Sequence, residues 1–210
     1  MIEFIDFVKT KINELRNIKQ SLNFIQIGAY DGVSFNDMAN ITLLPTDKGI
    51  FIEPNNKIFD VLKNNKNEFK ESKFLKIAII PNSDFDHNVF YIDQHGGQST
   101  FVQNVFNDKI HITEQVETLT VDEFYNDHVN FNIDVCFLDC EGYDHDIIKT
   151  LLKLQKPEIL YFESWNTITL NNQLNENKFT TRDEILEILS NNGYETKFEP
   201  IEENIIAYKL

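Results

Sequence analysis

The segment FIQIGAYDGVSF, residues 24–35, places two glycines and an acid directly after a short apolar run. Gly28 and Gly32 flank Asp31, and the apolar run before them is typical of a buried strand. Glycine accepts positive φ and lets a ligand approach the backbone, while the free N–H groups of a following helix point into the same space. Two-glycine turns also occur without ligands, so this turn needs a second feature before it indicates a cofactor loop.

Glu53 supplies that second feature. It ends the next apolar run, GIFIEP, about twenty residues after the glycine turn, where an acid can accept hydrogen bonds from both hydroxyls of a ribose. The turn and the acid together predict a nucleoside cofactor, either NAD or S-adenosylmethionine. A dinucleotide usually needs G-x-G-x-x-G, and its pyrophosphate would face like charge at Asp31, whereas a sulfonium and an ammonium group suit an acid.

A third cluster of chemical groups lies in FLDCEGYDHD, residues 137–146. Asp139 and Glu141 follow a predicted strand, and Glu163 ends the strand after it, so each is a candidate general base. We favour Asp139 because it stands directly at its strand end. A divalent metal is the alternative, since the cluster offers hard ligands, although acids at a helix start also suit the helix dipole, which is the favoured interpretation. These ligands would be Asp139, Glu141, Asp144, His145 and Asp146.

Short apolar strands alternate with helical patterns along the chain, which predicts an α/β fold with a parallel sheet covered on both faces. Thr120 with Glu123 and Thr181 with Glu184 each predict a capping box at a helix start. The predicted helices are 2–19, 33–44, 57–69, a helix that follows Thr120, 143–155 and 182–192. The predicted strands are 24–27, 49–54, 73–80, 88–93, a strand within 114–120, 133–139, 157–164, and a closing hairpin of 194–200 and 204–210. Residues 94–107 and 166–179 are predicted loops.

Composition narrows the class of protein. The chain has 210 residues and a formal net charge of −15, which argues against a broad basic surface for nucleic acid. No apolar run reaches the roughly 20 residues that cross a membrane, and the N-terminus lacks the pattern of a signal peptide, so we expect a cytoplasmic protein. The two cysteines, Cys136 and Cys140, lie in one predicted strand and are expected to be reduced core thiols.

Five blocks of the sequence, in order, resemble the FkbM-type methyltransferases. IQIGAYDG resembles their first motif, FIEPNNKIFDVLKNN their second-strand block, VETLTVDEFY the block before the fourth strand, FLDCEGYDHDIIKTLL their acidic signature, and PEILYFES their fifth strand. The resemblance implies a Rossmann-like class I methyltransferase sandwich, with a mostly parallel sheet, helices on both faces and a C-terminal antiparallel hairpin. It covers a single domain, 22–210, and leaves residues 1–21 as a helix packed on or beside that domain.

The resemblance also implies a function and site residues. The chain would transfer methyl groups from S-adenosylmethionine to a hydroxyl of a sugar or other small acceptor, without nucleic acid or membrane partners. By position, Glu53 and Pro54 would hold the ribose, Ala78 and Ile79 the adenine, and Asp139 and Glu141 would act at the acceptor. The cofactor loop would be Gly28, Ala29, Tyr30, Asp31 and Gly32.

Some residues depart from the family pattern. Gln26 replaces an acid of the first motif, Tyr30 stands where Asn is frequent, Phe137 stands where Lys is frequent, and Asp144 and His145 follow Tyr143 where a single Glu is usual. Two alternatives therefore stay open beside the methyltransferase: a methyltransferase-like binding protein that has lost turnover, and a nicotinamide-dependent oxidoreductase.

Overall fold

The computed structural model of the chain describes residues 2–34, 38–85, 89–93, 99–100, 111–164, 179–201 and 203–209. The predicted loops 94–107 and 166–179 lie almost entirely outside these residues, as does Trp165. No helix among the described residues is both long enough and apolar enough to cross a membrane.

The helices and strands alternate as the sequence predicts. The helices are α1 (Ile2–Lys19), α2 (Met38–Thr42), α3 (Asn56–Asn65), α4 (Val121–His128), α5 (Asp144–Leu154) and α6 (Arg182–Asn191). The strands are β1 (Asn23–Ile27), β2 (Lys48–Ile52), β3 (Lys73–Leu75), β4 (Ala78–Ile80), β5 (Val89–Asp93), β6 (Ser99–Thr100), β7 (His111–Gln115), β8 (Thr118–Thr120), β9 (Val135–Leu138), β10 (Ile159–Glu163), β11 (Glu195–Glu199) and β12 (Asn204–Tyr208).

Seven of these strands form one sheet in the order β11-β12-β10-β9-β1-β2-β3. The five strands from β10 to β3 run parallel, and β12 pairs antiparallel with both β10 and β11. The strand order reverses at β1, which has β2 on one side and β9 on the other. This is the predicted mostly parallel sheet with a C-terminal antiparallel hairpin, and the reversal leaves a crevice beyond the carboxyl ends of β1, β2 and β9.

Alternate residues of each central strand pack against two different helical layers, as strand geometry requires. On one face, residues such as Ile25, Cys136 and Phe162 pack with α4, α5 and α6. On the other face, Phe24, Phe51 and Phe137 pack with α1, α2 and α3. The sheet is therefore buried on both sides, which is why its central strands are largely apolar, with Gln26 of β1 as a buried polar exception, rather than alternating with polar residues.

Several predicted elements differ from the structure. The predicted loop 94–107 contains the short strand β6, and the single strand predicted within 114–120 is the two strands β7 and β8, which belong to separate sheets. The predicted strand 73–80 is two strands: β3 pairs with β2 in the main sheet, whereas β4 pairs with β8 in a separate two-stranded sheet. The predicted helix 33–44 does not begin at Val33, because the Asp31 carboxylate binds the Val33 and Ser34 N–H groups in a tight turn. Among the described residues the helix begins only at Met38. The two predicted capping boxes are confirmed.

A buried ion pair holds α1 against the body of the fold. Arg16 Nη1 and Nη2 donate to the two Asp47 carboxylate oxygens at 2.6 and 2.9 Å. Asp47 is 1% exposed, and it also accepts the N–H groups of Leu22 and Leu44. The apolar face of the helix, which includes Val8 and Ile12, packs in the same core as β1 and β2. One carboxylate therefore joins α1, the start of β1 and the segment before β2.

Replacing this carboxylate should strongly destabilise the fold. Asp47→Ala leaves the guanidinium and two N–H groups without their partner, so we expect a loss of about 3–5 kcal/mol in the free energy of unfolding. Glu71→Gln is the control, because Glu71 pairs with Lys48 where both side chains are more than half exposed. It should cost at most about 1 kcal/mol. Urea unfolding of both variants measures the difference, and equal losses would contradict the role given to Asp47.

Candidate active site

A partly open cavity lies in the crevice beyond β1, β2 and β9. The cavity forms where the strand order reverses at β1. The residues that follow each of the three strands face it. Its lining consists of Ile27, Gly28, Tyr30, Ile52, Glu53, Pro54, Ile77, Ala78, Ile79, Phe90, Asp139, Cys140, Glu141 and Tyr143. This lining contains every residue that the resemblance assigned to the site except Ala29, Asp31 and Gly32. The further candidates Glu163, Asp144, His145 and Asp146 are not part of it.

The glycine loop after β1 is held in an unusual backbone conformation. Gly28, Tyr30 and Gly32 have φ of 78°, 47° and 77°, in the left-handed region that favours glycine. The N–H groups of Gly28 and Ala29 both donate to the Ile52 carbonyl, at 3.0 and 2.9 Å. These two bonds turn the chain sharply across the end of β2, so the loop curls over the cavity instead of continuing the strand.

Gly28 also brings the loop against the turn that follows β9. A Cβ atom at Gly28 would lie 1.9 Å from the Asp139 carbonyl oxygen, which is far inside van der Waals contact. The Asp139 N–H in turn donates to the Ile27 carbonyl at 3.0 Å. Only glycine fits at this position, because both the positive φ and the close approach of the backbones exclude a side chain.

Glu53 lies at the floor of the cavity and is 5% exposed. One carboxylate oxygen accepts the Tyr30 N–H at 2.9 Å, and the other accepts the Asn55 N–H at 2.8 Å. Burial raises the pKa of Glu53 to about 7, and these two N–H groups oppose that rise. Each oxygen keeps a lone pair for a further donor. Glu53 therefore both supports the glycine loop and offers acceptors to a ligand.

Asp31 points at its own loop instead of lining the cavity. Its carboxylate accepts the N–H groups of Val33 and Ser34 and the Ser34 hydroxyl, at 3.0, 2.8 and 2.6 Å. These donors lower the pKa of Asp31 in spite of its partial burial. The Asp31 carbonyl accepts from Asn65 at the end of α3. Asp31 thus stabilises the loop conformation from the side away from the cavity. Its carboxylate would interact with a ligand only at long range, through the loop.

The other two predicted loop residues also face the protein interior. Ala29 is buried in the core layer that contains α1, α2 and α3. A Cβ atom at Gly32 would lie 2.9 Å from the Leu62 and Lys66 side chains, so this glycine lets the loop pack against α3. These residues support the loop from behind, and a ligand in the cavity would contact their neighbours.

Three carboxylates meet where β9 and β10 end, and two of them, Asp139 and Glu141, line the cavity. Asp139, Glu141 and Glu163 each place a ligand oxygen within 4.8 Å of the other two. Asp139 and Glu141 follow β9, and Glu163 ends β10, so the parallel pairing of these strands brings the groups together. Such spacing suits a shared cation or proton, and it is also common where no ion is bound.

The remaining members of the predicted acidic cluster are occupied by protein groups. The Asp144 carboxylate accepts the Cys140 N–H, and burial raises its pKa to about 7. His145 bonds the Thr180 carbonyl and the Ser164 hydroxyl, each at 2.9 Å, and burial lowers its pKa to about 4. Asp146 accepts the Thr180 N–H at 3.1 Å. These three side chains therefore stabilise the start of α5 and its neighbours.

Six lining residues were not predicted as site residues: Ile27, Ile52, Ile77, Phe90, Cys140 and Tyr143. Ile27 and Ile52 are the last residues of β1 and β2, directly before predicted site residues. Ile77 precedes the predicted adenine residues and Cys140 lies inside the acidic cluster, so their neighbours gave a signal. Phe90 comes from β5, in a separate three-stranded sheet with β6 and β7. Tyr143 stacks on Phe179 with ring centroids 5.7 Å apart. Those two positions depend on tertiary packing that the local pattern does not contain.

A family model of the methyltransferase FkbM domain matches residues 26–196, which include the whole cavity lining. The chain belongs to the FkbM methyltransferase family. It is therefore a methyltransferase with S-adenosylmethionine as its methyl donor, and its fold is the Rossmann-like class I sandwich that the resemblance implied. The family decides against the nicotinamide-dependent oxidoreductase.

Several solved methyltransferase structures are distantly similar to the chain. An O-methyltransferase from Bacillus cereus in complex with SAH has a TM-score of 0.47 and 14% identity, over 97% of this chain and 81% of that chain. The N-methyltransferase NodS from Bradyrhizobium japonicum WM9 has a TM-score of 0.46 and 11% identity, over 98% and 94%. Magnesium protoporphyrin IX methyltransferase (ChlM) from Synechocystis PCC 6803 has a TM-score of 0.47 and 10% identity, over 100% of this chain and 81% of that chain. These likenesses are too distant to carry an argument about this chain. A comparison with curated proteins finds no match.

Two glycines of this domain with the same backbone conformation should respond differently to alanine. Gly28→Ala combines positive φ with the clash at Asp139, whereas Gly193, at φ 82°, has no atom within 4 Å of an added Cβ. Gly193→Ala should cost about 1–2 kcal/mol and leave binding of S-adenosylhomocysteine unchanged. Gly28→Ala should weaken that binding by at least tenfold. Thermal unfolding and calorimetry measure both, and equal effects at the two glycines would contradict the importance of the close approach.

Proposed function

We propose that this FkbM domain methylates a hydroxyl of a small-molecule or glycan acceptor in the cytoplasm, with Asp139 as general base. The observation that carries the proposal is the single cavity where the strand order reverses at β1, because both a cofactor and an acceptor would bind in it. It has a buried ribose-type acid, Glu53, on one side and the carboxylates of Asp139 and Glu141 on the other. A cofactor and an acceptor in this cavity would lie between an anchoring acid and a proton acceptor.

The residues present fit S-adenosylmethionine. Glu53 keeps a lone pair on each oxygen for the two ribose hydroxyls, and Pro54 lies beside it in the lining. Ala78 and Ile79, with Ile77 and Phe90, provide an apolar wall suited to the adenine ring. The backbone of Gly28 has no side chain to block the methionine end. We assign these groups to the cofactor, with Ala29, Asp31 and Gly32 supporting the loop from behind.

The charge of the cavity also suits this cofactor. Among the described residues, its lining includes Glu53, Asp139 and Glu141 and no Lys, Arg or His. Carboxylates in a partly enclosed site favour a ligand that carries a sulfonium and an ammonium group, because the interaction is stronger there than in open water. The same carboxylates oppose the pyrophosphate of a dinucleotide.

S-adenosylmethionine supplies a methyl group on a positively charged sulfur. The protein must align the acceptor oxygen with that methyl group and exclude water, which Tyr143 and Phe90 support by lining the cavity with aromatic rings. As the acceptor oxygen gains the methyl group, its proton passes to the Asp139 carboxylate. Bound S-adenosylmethionine would give its methyl group to the acceptor oxygen and keep the electrons of the methyl–sulfur bond on sulfur, so that the Asp139 carboxyl group would end protonated beside a methyl ether and S-adenosylhomocysteine.

A hydroxyl acceptor explains why the acceptor side carries acids. Hydroxyl groups are weak nucleophiles that gain from a general base, typically 10²–10⁴-fold. Asp139 is exposed among these three acids, and Glu141 and Glu163 are half-buried beside it. Hydroxyl-rich acceptors can also donate hydrogen bonds to the neighbouring carboxylates, which orients one hydroxyl towards Asp139. The net charge of −15 makes nucleic acid a poor acceptor.

Two measurements test this function. Calorimetry with S-adenosylmethionine, S-adenosylhomocysteine and NAD should give binding of the first two and none of NAD. Incubation with methyl-tritiated S-adenosylmethionine and a panel of sugars, glycosides, phenols and amines should then label a hydroxyl compound. With that acceptor, Asp139→Asn should lower turnover by about 10²–10⁴-fold and leave cofactor affinity within a few-fold.

The outcomes separate the parts of the proposal. Wild-type turnover in Asp139→Asn with intact cofactor binding would rule out its role as base, and Glu141→Gln and Glu163→Gln would then identify the base. Labelling of amines alone would contradict O-methylation. Cofactor binding without labelling of any compound in the panel would favour a domain that binds and no longer turns over.

Cofactor binding should depend on pH through Glu53. Its pKa of about 7 lies above the ordinary value of 4.5, so the free protein holds a proton there below pH 7. A protonated carboxyl group has one acceptor fewer for the ribose, so the affinity for S-adenosylhomocysteine should fall as the pH drops from 7.5 to 5.5, by up to about tenfold per unit. Calorimetry across this range measures it. Glu53→Gln should bind more weakly and lose most of the pH dependence; an unchanged slope would assign the proton to another group.

A further inference from the structure

Asp144 lies beneath the turn that carries both acceptor-side acids. The turn runs from Asp139 to Gly142, between the end of β9 and the start of α5. The Asp144 carboxylate accepts the Cys140 N–H with its two oxygens at 3.1 and 3.3 Å. The N–H groups of Gly142 and of Asp144 itself also stabilise its charge. A single side chain, 2% exposed, thus supports the middle and the end of the turn from inside the protein.

The turn needs that support because its backbone is strained. Glu141 has a φ of 50° and Gly142 a φ of 108°. A non-glycine residue in the left-handed region is unfavourable and persists only where its surroundings hold it. The strained conformation is what returns the chain from β9 to α5 while placing Asp139 and Glu141 in the cavity lining. Cys140, the residue between them, is the one whose N–H Asp144 binds.

The turn 139–142 is also in close contact with the glycine loop. The Asp139 carbonyl oxygen is the atom that an added Cβ at Gly28 would meet. A shift of this turn would therefore move the two acids and the surface against which the glycine loop rests. Asp144 has no place in the cavity lining, so it would act on a ligand only through the turn.

We propose that Asp144 is a positioning residue of the methyl-transfer site, which holds the turn 139–142 so that the carboxylates of Asp139 and Glu141 face the charged end of the cofactor. This inference rests on the proposed function of the cavity. The acceptor-side acids stabilise the sulfonium of S-adenosylmethionine, and the neutral sulfur of S-adenosylhomocysteine gains nothing from them. Asp144 therefore contributes to the preference for the charged compound over the neutral one.

The ratio of two dissociation constants tests this role without an acceptor. Calorimetry at pH 7.5 gives the constants of wild type and Asp144→Asn for S-adenosylmethionine and S-adenosylhomocysteine. The variant keeps the size of the side chain and loses one acceptor and the charge. We expect the ratio of the two dissociation constants, which measures the preference for S-adenosylmethionine, to fall by at least threefold. The reason is that the turn relaxes and Asp139 and Glu141 move away from the cofactor. A purely structural role would weaken both ligands equally and leave the ratio unchanged.

Asp146→Asn is the matched control. Asp146 lies on the same helix, is also buried, and accepts the Thr180 N–H instead of an N–H of the turn. Asp146→Asn should have a lower midpoint of thermal unfolding than wild type and the same ratio of dissociation constants for the two compounds. Gly142→Ala approaches the same turn from its other end, since φ of 108° disfavours a side chain, and it should reproduce the altered ratio of Asp144→Asn.

The results separate this inference from the proposed function. Wild-type protein that binds both compounds, together with an unchanged ratio in folded Asp144→Asn and Gly142→Ala, overturns the positioning role and leaves the proposed function standing. An equal change in Asp146→Asn also overturns it. If Asp144→Asn does not fold, the ratio in Gly142→Ala decides. Wild-type protein that binds neither compound overturns the proposed function, and the inference falls with it.

Discussion

The site depends on how closely the backbone of Gly28 approaches that of Asp139. Parallel pairing of β1 with β9 ends both strands at the same edge, and the absent side chain of Gly28 lets their following segments touch. The glycine loop curls over β2 because its N–H groups bind the Ile52 carbonyl. Glu53 then reaches Tyr30 from below. The glycine loop, Glu53 and the turn after β9 are thus one connected structure. A displacement of one of them should displace the other two.

Buried carboxylates carry much of this structure, each with a different set of donors. Asp47 joins α1 to the sheet through a guanidinium, Glu53 supports the glycine loop, and Asp144 supports the turn after β9. Burial raises the pKa of Glu53 and of Asp144 to about 7, so both lie near the point of losing their charge. An acid of this kind suits a site whose ligand supplies the missing donors or positive charge.

Much of the fold and of the cavity is readable from the sequence, for local reasons. Apolar strands ending in Gly28, Glu53 and Asp139 place those residues at one sheet edge, because parallel strands share their carboxyl ends. Packing decides what local patterns cannot. The run 73–80 is mostly apolar, with Lys73 and Lys76 as its polar residues, and it reads as one strand; tertiary pairing decides its break between two sheets. Asp31 was expected to act by charge on the cofactor, yet its own loop takes up its oxygens, and Phe90 arrives from a strand of another sheet.

The place of β12 between β10 and β11 has a consequence for synthesis. β11 precedes β12 in the chain, yet it reaches the sheet only through β12. While the ribosome has not yet released residues 204–208, β10 presents an open edge and the 195–199 segment has no partner. Completion of the sheet must therefore wait for nearly the whole domain to emerge, and the nascent chain passes through a stage in which an apolar edge is exposed to other chains and to chaperones.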